Sequence, residues 1–232
     1  MVVDNVGFVY ILGSSNGVWA GATNRGLSDI MLMKVNVTLG SIAWVRLYGS
    51  SADDIGYSLS YHGKKVYLCG SAGESVSSQP HFDNVDFVVI KADAQTGALD
   101  WAESHGGSGE DICYRVLFDP SYNLLVATGG ITGSLYNEFN IGDMTTTTVV
   151  HDQYGSLEGI EMHGVLQRDA PAALYVSNLG ESLFVGGSNS GSMEGQFLSG
   201  AADGFLRKLP FSSILNYFEP DQPTGQPSSQ PS

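Results

Sequence analysis

The feature that most constrains this chain is a repeat of about 57 residues. A short apolar segment ending in glycine occurs four times. It reads Val9-Tyr10-Ile11-Leu12-Gly13, Val66-Tyr67-Leu68-Cys69-Gly70, Leu125-Val126-Ala127-Thr128-Gly129 and Ser182-Leu183-Phe184-Val185-Gly186. The glycines are spaced 57, 59 and 57 residues apart. A fixed period in this range marks an array in which each unit buries its faces against its neighbours.

Further anchors keep the same register. Asp29-Ile30-Met31-Leu32-Met33-Lys34 returns as Asp86-Phe87-Val88-Val89-Ile90-Lys91 and as Asp203-Gly204-Phe205-Leu206-Arg207-Lys208. A degraded copy begins at Asp143 and runs into four threonines. Gly40-Ser41-Ile42-Ala43-Trp44 is matched by Gly97-Ala98-Leu99-Asp100-Trp101 and weakly by Gly155-Ser156-Leu157. Gly49, Asp54 and Tyr57 are followed 57 residues later by Gly106, Asp111 and Tyr114.

Between anchors, each unit reads as four short strands; in the second unit they fall near 57–61, 65–70, 86–91 and 99–105. These runs are rich in Val, Ile, Leu, Tyr and Phe and are broken by Gly, Ser, Asn and Asp. Phe87-Val88-Val89-Ile90 is apolar on both sides, as expected of a strand packed between two layers. No long window has helical periodicity, and the thirty glycines oppose helices, each costing about 1 kcal/mol relative to alanine in a helix interior. Four strands per unit, joined by tight turns, predict an all-β fold: a β-propeller with about four visible blades. The repeats fall near 1–49, 50–106, 107–165 and 166–219.

The string Val-Tyr-x-x-Gly, a loop, Asp-(apolar)-Lys, Gly-x-x-x-Trp and Gly-(Ser/Gly)-x-x-x-Asp resembles the bacterial-type β-propeller repeat called SBBP. The resemblance covers nearly the whole chain to about Pro220 and is strongest in the first two units. It implies a multi-bladed propeller in a secreted or surface protein and carries no catalytic residue across. The third unit departs from it, lacking the lysine and the tryptophan, and the fourth has Tyr217 near the tryptophan position. Two blade counts are open: a self-contained ring of four, or part of a propeller of six to eight. A chain that begins almost inside its first innermost strand favours the second.

Twenty-four acidic against ten basic residues give a net charge of −14, a surface that repels phosphate backbones and argues against nucleic-acid partners. No apolar run approaches the length of a transmembrane helix, so no membrane insertion is expected in this segment. Residues 220–232 change abruptly to Pro, Ser, Gln and Thr, a composition that cannot build a core and reads as an extended linker or stalk. The tail resembles the Pro-Thr-Gly-Gln-Pro-Ser-Ser-Gln-Pro repeats of secreted proteins of algae and related protists. Cys69 and Cys113 fall at strand positions of adjacent units, where two small buried hydrophobes are the default and a bridge between blades is the alternative. Asn36-Val37-Thr38 is a glycosylation sequon in a turn.

Gly13-Ser14-Ser15-Asn16-Gly17 matches the G-x-S-x-G pattern of hydrolases, but the strained elbow of that motif needs a following helix. The equivalent segments at Gly70 and Gly186 mark it as the ordinary turn of the repeat, so no catalytic residue is expected. None of the five histidines has a partner at metal-ligand spacing. The acidic turns Asp53-Asp54 and Glu110-Asp111 are the candidates for a hard cation such as calcium. The competing reading is that each aspartate caps backbone N–H groups. No other cofactor is expected.

Variation between units concentrates in the loops 14–28, 71–85, 131–142 and 188–202, which a propeller presents on one side of its disc. Trp19, which does not recur, and Phe82, Tyr136 and Phe139 of the equivalent loops are the candidate ligand contacts. The function expected is an extracellular or cell-surface module that binds a carbohydrate or protein. The alternatives are a structural spacer in a multi-domain surface protein and a polysaccharide-active enzyme.

Overall fold

A computed structural model describes residues 1–76, 81–82, 84–135, 143–163, 169–177, 182–190 and 203–215. The first sheet holds β1 (Val2–Val3), β2 (Phe8–Ser15), β3 (Asp29–Asn36) and β4 (Ser41–Tyr48). The second holds β5 (Asp54–His62), β6 (Lys65–Ala72), β7 (Asp86–Asp93) and β8 (Leu99–His105). In the third are β9 (Ile112–Asp119), β10 (Leu124–Ile131), β11 (Thr145–His151) and β12 (Leu157–His163). The fourth holds β13 (Asp169–Val176), β14 (Ser182–Asn189) and β15 (Asp203–Pro210), followed by a short helix α1 (Phe211–Leu215). Strands within each sheet are antiparallel and lie in chain order. The molecule is therefore all-β, with a propeller-like arrangement of four blades.

The sequence anchors are the parts that lock one blade to the next. Lys34 donates to the Ala94 carbonyl and Lys91 to the Gln153 carbonyl, each in the following blade. The indole N–H of Trp44 donates to the Gln95 carbonyl at 2.8 Å, and that of Trp101 to the Gln153 carbonyl at 3.2 Å. Gly97 and Gly155 turn with positive φ (68° and 95°), and a Cβ on either would press against the preceding blade's tryptophan. The backbone N–H groups of Asp54, Asp111 and Asp169 donate to the carbonyls of Ser28, Val85 and Met144, stitching three successive junctions. Tyr57 and Tyr114 are bulged residues of β5 and β9, and their rings meet edge to face at 5.7 Å.

Each junction buries a continuous apolar layer. Tyr10, Ile30 and Leu32 of the first blade pack on Val66, Leu68, Val88 and Ile90 of the second. Tyr67, Phe87 and Val89 pack on Leu125, Ala127 and Val149 of the third. A disulfide joins Cys69 to Cys113, with 5.5 Å between Cα atoms, so the two cysteines are not separate small hydrophobes but a covalent tie between blades two and three. Spacing alone could not choose between these, because it does not reveal that β6 and β9 pack side by side.

Two anchors of the sequence reading move. The fourth glycine of the repeat is Gly187 rather than Gly186. A Cβ on Gly187 would strike the Ala170 carbonyl, as one on Gly70 or Gly129 would strike Ile55 or Ile112, whereas Gly186 faces away. The third copy of the strand-opening aspartate is Thr145, which is buried, while Asp143 lies two residues earlier and is exposed. The third unit's missing lysine and tryptophan are Val150 and Gly159. Helix α1 takes the space: a Cβ on Gly159 would collide with the Ile214 backbone, and Phe211 stacks on Tyr122 at 5.3 Å.

The central blades are covered on both faces and the outer two on one. Ile11 on the first blade, and Tyr175 and Leu206 on the fourth, are exposed. Among the described residues the first and fourth sheets share no extended packing.

Candidate functional site

Two cavities open at successive blade junctions, beside the variable loops. The first, about 640 Å³, lies between blades one and two and is bounded by Arg25, Arg46, Tyr48, Gly49–Ser51, Glu74–Val76 and Gly97 among others. The second, about 470 Å³, lies between blades two and three and is lined by Phe82, Gly106, Gly107, Ser108, Ser134 and Leu135. Every residue of the second is the repeat equivalent of one in the first. Phe82 replaces Arg25, Gly106 replaces Gly49, Gly107 replaces Ser50, Ser108 replaces Ser51, Ser134 replaces Ser75 and Leu135 replaces Val76. The same hollow thus recurs with different chemistry.

Two buried aspartates lie behind the leading glycine of each hollow, Asp29 and Asp54 behind Gly49 and Asp86 and Asp111 behind Gly106. Asp54 accepts from the N–H of Ser50 (2.6 Å), from its hydroxyl, and from the N–H of Gly73 (3.2 Å). Asp111 accepts from the N–H of Gly107 (2.7 Å) and of Thr132 (2.6 Å). Each carboxylate ties the inter-blade link to the next β-hairpin loop, which is the geometry of a cap. Burial pushes both up to about 6, against the pull of those donors, with the neighbouring Asp29 or Asp86 adding to the rise. Behind Gly49, a Cβ would come within 2.5 Å of Asp29 Oδ1 and of Asp54 Oδ2, so only glycine fits between the two carboxylates. Asp53 and Glu110 point to solvent, in short parallel bridges to Ser28 and Val85. Among the described residues, no three His, Cys, Asp or Glu side chains gather as a metal shell.

The remaining predicted residues separate. Phe82 lines the second cavity and is 42% exposed, while its N–H donates to Asp86 at 3.1 Å. Trp19 is half-buried within its own loop, its indole N–H donating to Ser15 Oγ at 2.9 Å, and it lines neither cavity. Tyr136 and Phe139 lie outside the described residues. Asn36 caps the β3–β4 turn, its Oδ1 accepting from the N–H groups of Thr38 and Leu39. The serines of the G-x-S-x-G string act in turns: Ser15 Oγ accepts from Gly17, and Ser14 Oγ from Gly56 of the next blade.

Arg25, Arg46 and Glu74 were not singled out in the sequence, although they give the first cavity its polarity. The signal was available at one of them: Arg25 stands in the register of Phe82, so one loop position carries a cation in one unit and an aromatic in the next. Among the described residues no helix is long and apolar enough to cross a membrane. Neither a protein-family model nor a curated protein matches the chain.

Proposed function

We propose that the chain is a non-catalytic binding module of a secreted or cell-surface protein, a propeller of the SBBP kind that recognises carbohydrate through the loop side of its blades. The observation that carries this reading is the pair of equivalent cavities, built on one scaffold and lined by residues that differ between units. A recess kept in shape while its lining changes is what a recognition surface requires. A protein partner is the other ligand of this class. The mixture of hydrogen-bonding groups and one exposed aromatic ring, in hollows rather than on a flat patch, favours sugars. The secreted setting is supported by the Cys69–Cys113 disulfide, the Asn36 sequon and the stalk-like tail at 220–232.

The test is retention of the full chain on a panel of insoluble and soluble polysaccharides, with albumin as the reference. Retention on at least one, released by the matching free oligosaccharide, is expected. Passage of the chain unretarded over the whole panel would overturn the carbohydrate reading and leave a protein partner or the spacer role.

A further inference from the structure

We propose that the two cavities are consecutive subsites for one linear, uncharged oligosaccharide: the first orients a sugar by hydrogen bonds, and the second stacks a neighbouring sugar on Phe82. This rests on the carbohydrate-binding reading above.

The first cavity presents what a sugar hydroxyl needs, which is donors and acceptors together. Arg25 reaches the Leu47 carbonyl only at 3.5 Å, and Arg46 uses Nη1 on the Val45 and Gly21 carbonyls at 2.8 and 3.5 Å. Each guanidinium has five N–H donors in a fixed fork, so most remain for a ligand. The ion pairs among the described residues involve Lys65, His81, His163 and Arg207, and neither of these two arginines. Glu74 supplies the acceptor, its carboxylate held by the Ser51 hydroxyl. The ligand is uncharged because the surroundings oppose an anion: Asp29 and Asp54 lie behind Gly49, and the whole chain carries −14.

The second cavity has lost that polarity. Phe82 stands where Arg25 stood, Leu135 forms a buried wall, and Gly106 and Gly107 complete the lining without side chains. The negative face of an aromatic ring attracts the polarised C–H edge of its partner, and the C–H face of a pyranose is a partner of that kind. Blade two lends residues to both hollows, Glu74, Ser75 and Val76 to the first and Phe82 and Gly106 to the second, so one ligand that binds both must cross that blade, which suits a chain of sugars rather than a single one.

The experiment is calorimetric titration of the full chain with β-1,4-linked gluco-, xylo- and manno-oligosaccharides of two to six units, and with oligogalacturonate as the charged comparison. Affinity for at least one neutral series should climb about tenfold or more from dimer to hexamer. Phe82→Ala should lower hexamer affinity about tenfold and leave the dimer unchanged, whereas Arg25→Ala should weaken every length by about the same factor. Both substitutions keep the backbone N–H groups that cap Asp86 and Asp29, and unchanged melting temperatures check that the variants fold. Binding that ignores both substitutions or is independent of length, or preference for the charged oligomer, overturns the two-subsite proposal alone. Absence of binding to every oligosaccharide overturns both this proposal and the reading beneath it.

Discussion

The junction between blades one and two and the junction between blades two and three share a template and differ in filling. In both, a lysine and a tryptophan reach forward to backbone carbonyls, and an aspartate accepts backbone N–H groups. Where the first has Tyr48, whose hydroxyl donates to the Gly97 carbonyl at 2.8 Å, the second has His105, whose Nε2 lies 2.9 Å from Nε2 of His151. The first has no covalent tie; the second has the disulfide. Asp29 leaves a buried oxygen without a partner, while Asp86 meets the His81 ring at 3.0 Å. The recurring lysines, tryptophans and aspartates bond to backbone, which is the same whatever the neighbour's sequence. The rule has exceptions on both sides: Tyr48 bonds to backbone without recurring, and Tyr57 and Tyr114 recur through their ring contact.

Breaking the covalent difference should have the largest effect. In the chain-entropy account, a bridge across a separation of 44 residues stabilises by about 3–4 kcal/mol. Cys69→Ala/Cys113→Ala should therefore lower the guanidinium unfolding midpoint while both apolar layers remain. Hydrogen exchange would locate the loss: amides of β9 and β10 should lose protection, while those of β2 and β3 change less. Equal loss at both junctions would mean that the blades unfold as one unit.

The next difference concerns pH. Burial holds His105 well below its ordinary value and brings His151 down to about 4. The folded chain thus resists these protons, and the stability they contribute is full above about 6.5 and is lost as pH falls toward 4. Asp54 and Asp111 act in the opposite sense. Burial raises them to about 6, so their contribution is full below about 4 and is lost as pH rises through 6. The two slopes oppose each other across the same window, each on the order of 1–3 kcal/mol. Asp54→Asn/Asp111→Asn should unmask the histidine slope, with stability rising from pH 4 to 6.5. His105→Tyr, which copies Tyr48 into the second junction, should tilt the profile the other way. Urea midpoints at several pH values measure both, and a wild-type profile steeper than either variant would refute the opposition.

Most of the scaffold was legible in the sequence because the lysines, tryptophans and aspartates bonded to a neighbouring backbone recur with the period. Val-Tyr-x-x-Gly, Asp-(apolar)-Lys and Gly-x-x-x-Trp all lie at such contacts. The period also misled where composition allowed two alignments: Gly186 and Gly187 are adjacent, and only the side facing Ala170 distinguishes them. Thr145 was hidden because threonine replaced the expected aspartate, and Asp143 stood near enough to be mistaken for it. The cavity was half legible. Phe82 was visible as a loop aromatic, while Arg25 and Arg46 were not, because a surface arginine in a loop or strand end has no period. Trp19 shows the converse, since its failure to recur reflects a bond within its own loop.

The smallest effect tests whether the shared template is equal at the two junctions. Trp44→Phe and Trp101→Phe each remove one indole N–H bond to a backbone carbonyl and keep an aromatic ring near Gly97 or Gly155. Each should cost about 0.5–1.5 kcal/mol, read from urea midpoints. The acceptors are different residues, Gln95 and Gln153, so the double variant should lose the sum of the singles. A larger loss at Trp101 would show that the covalent tie of that junction tightens the hydrogen bond beside it. A double loss smaller than the sum would show that the second blade transmits strain from one junction to the other, because it alone touches both.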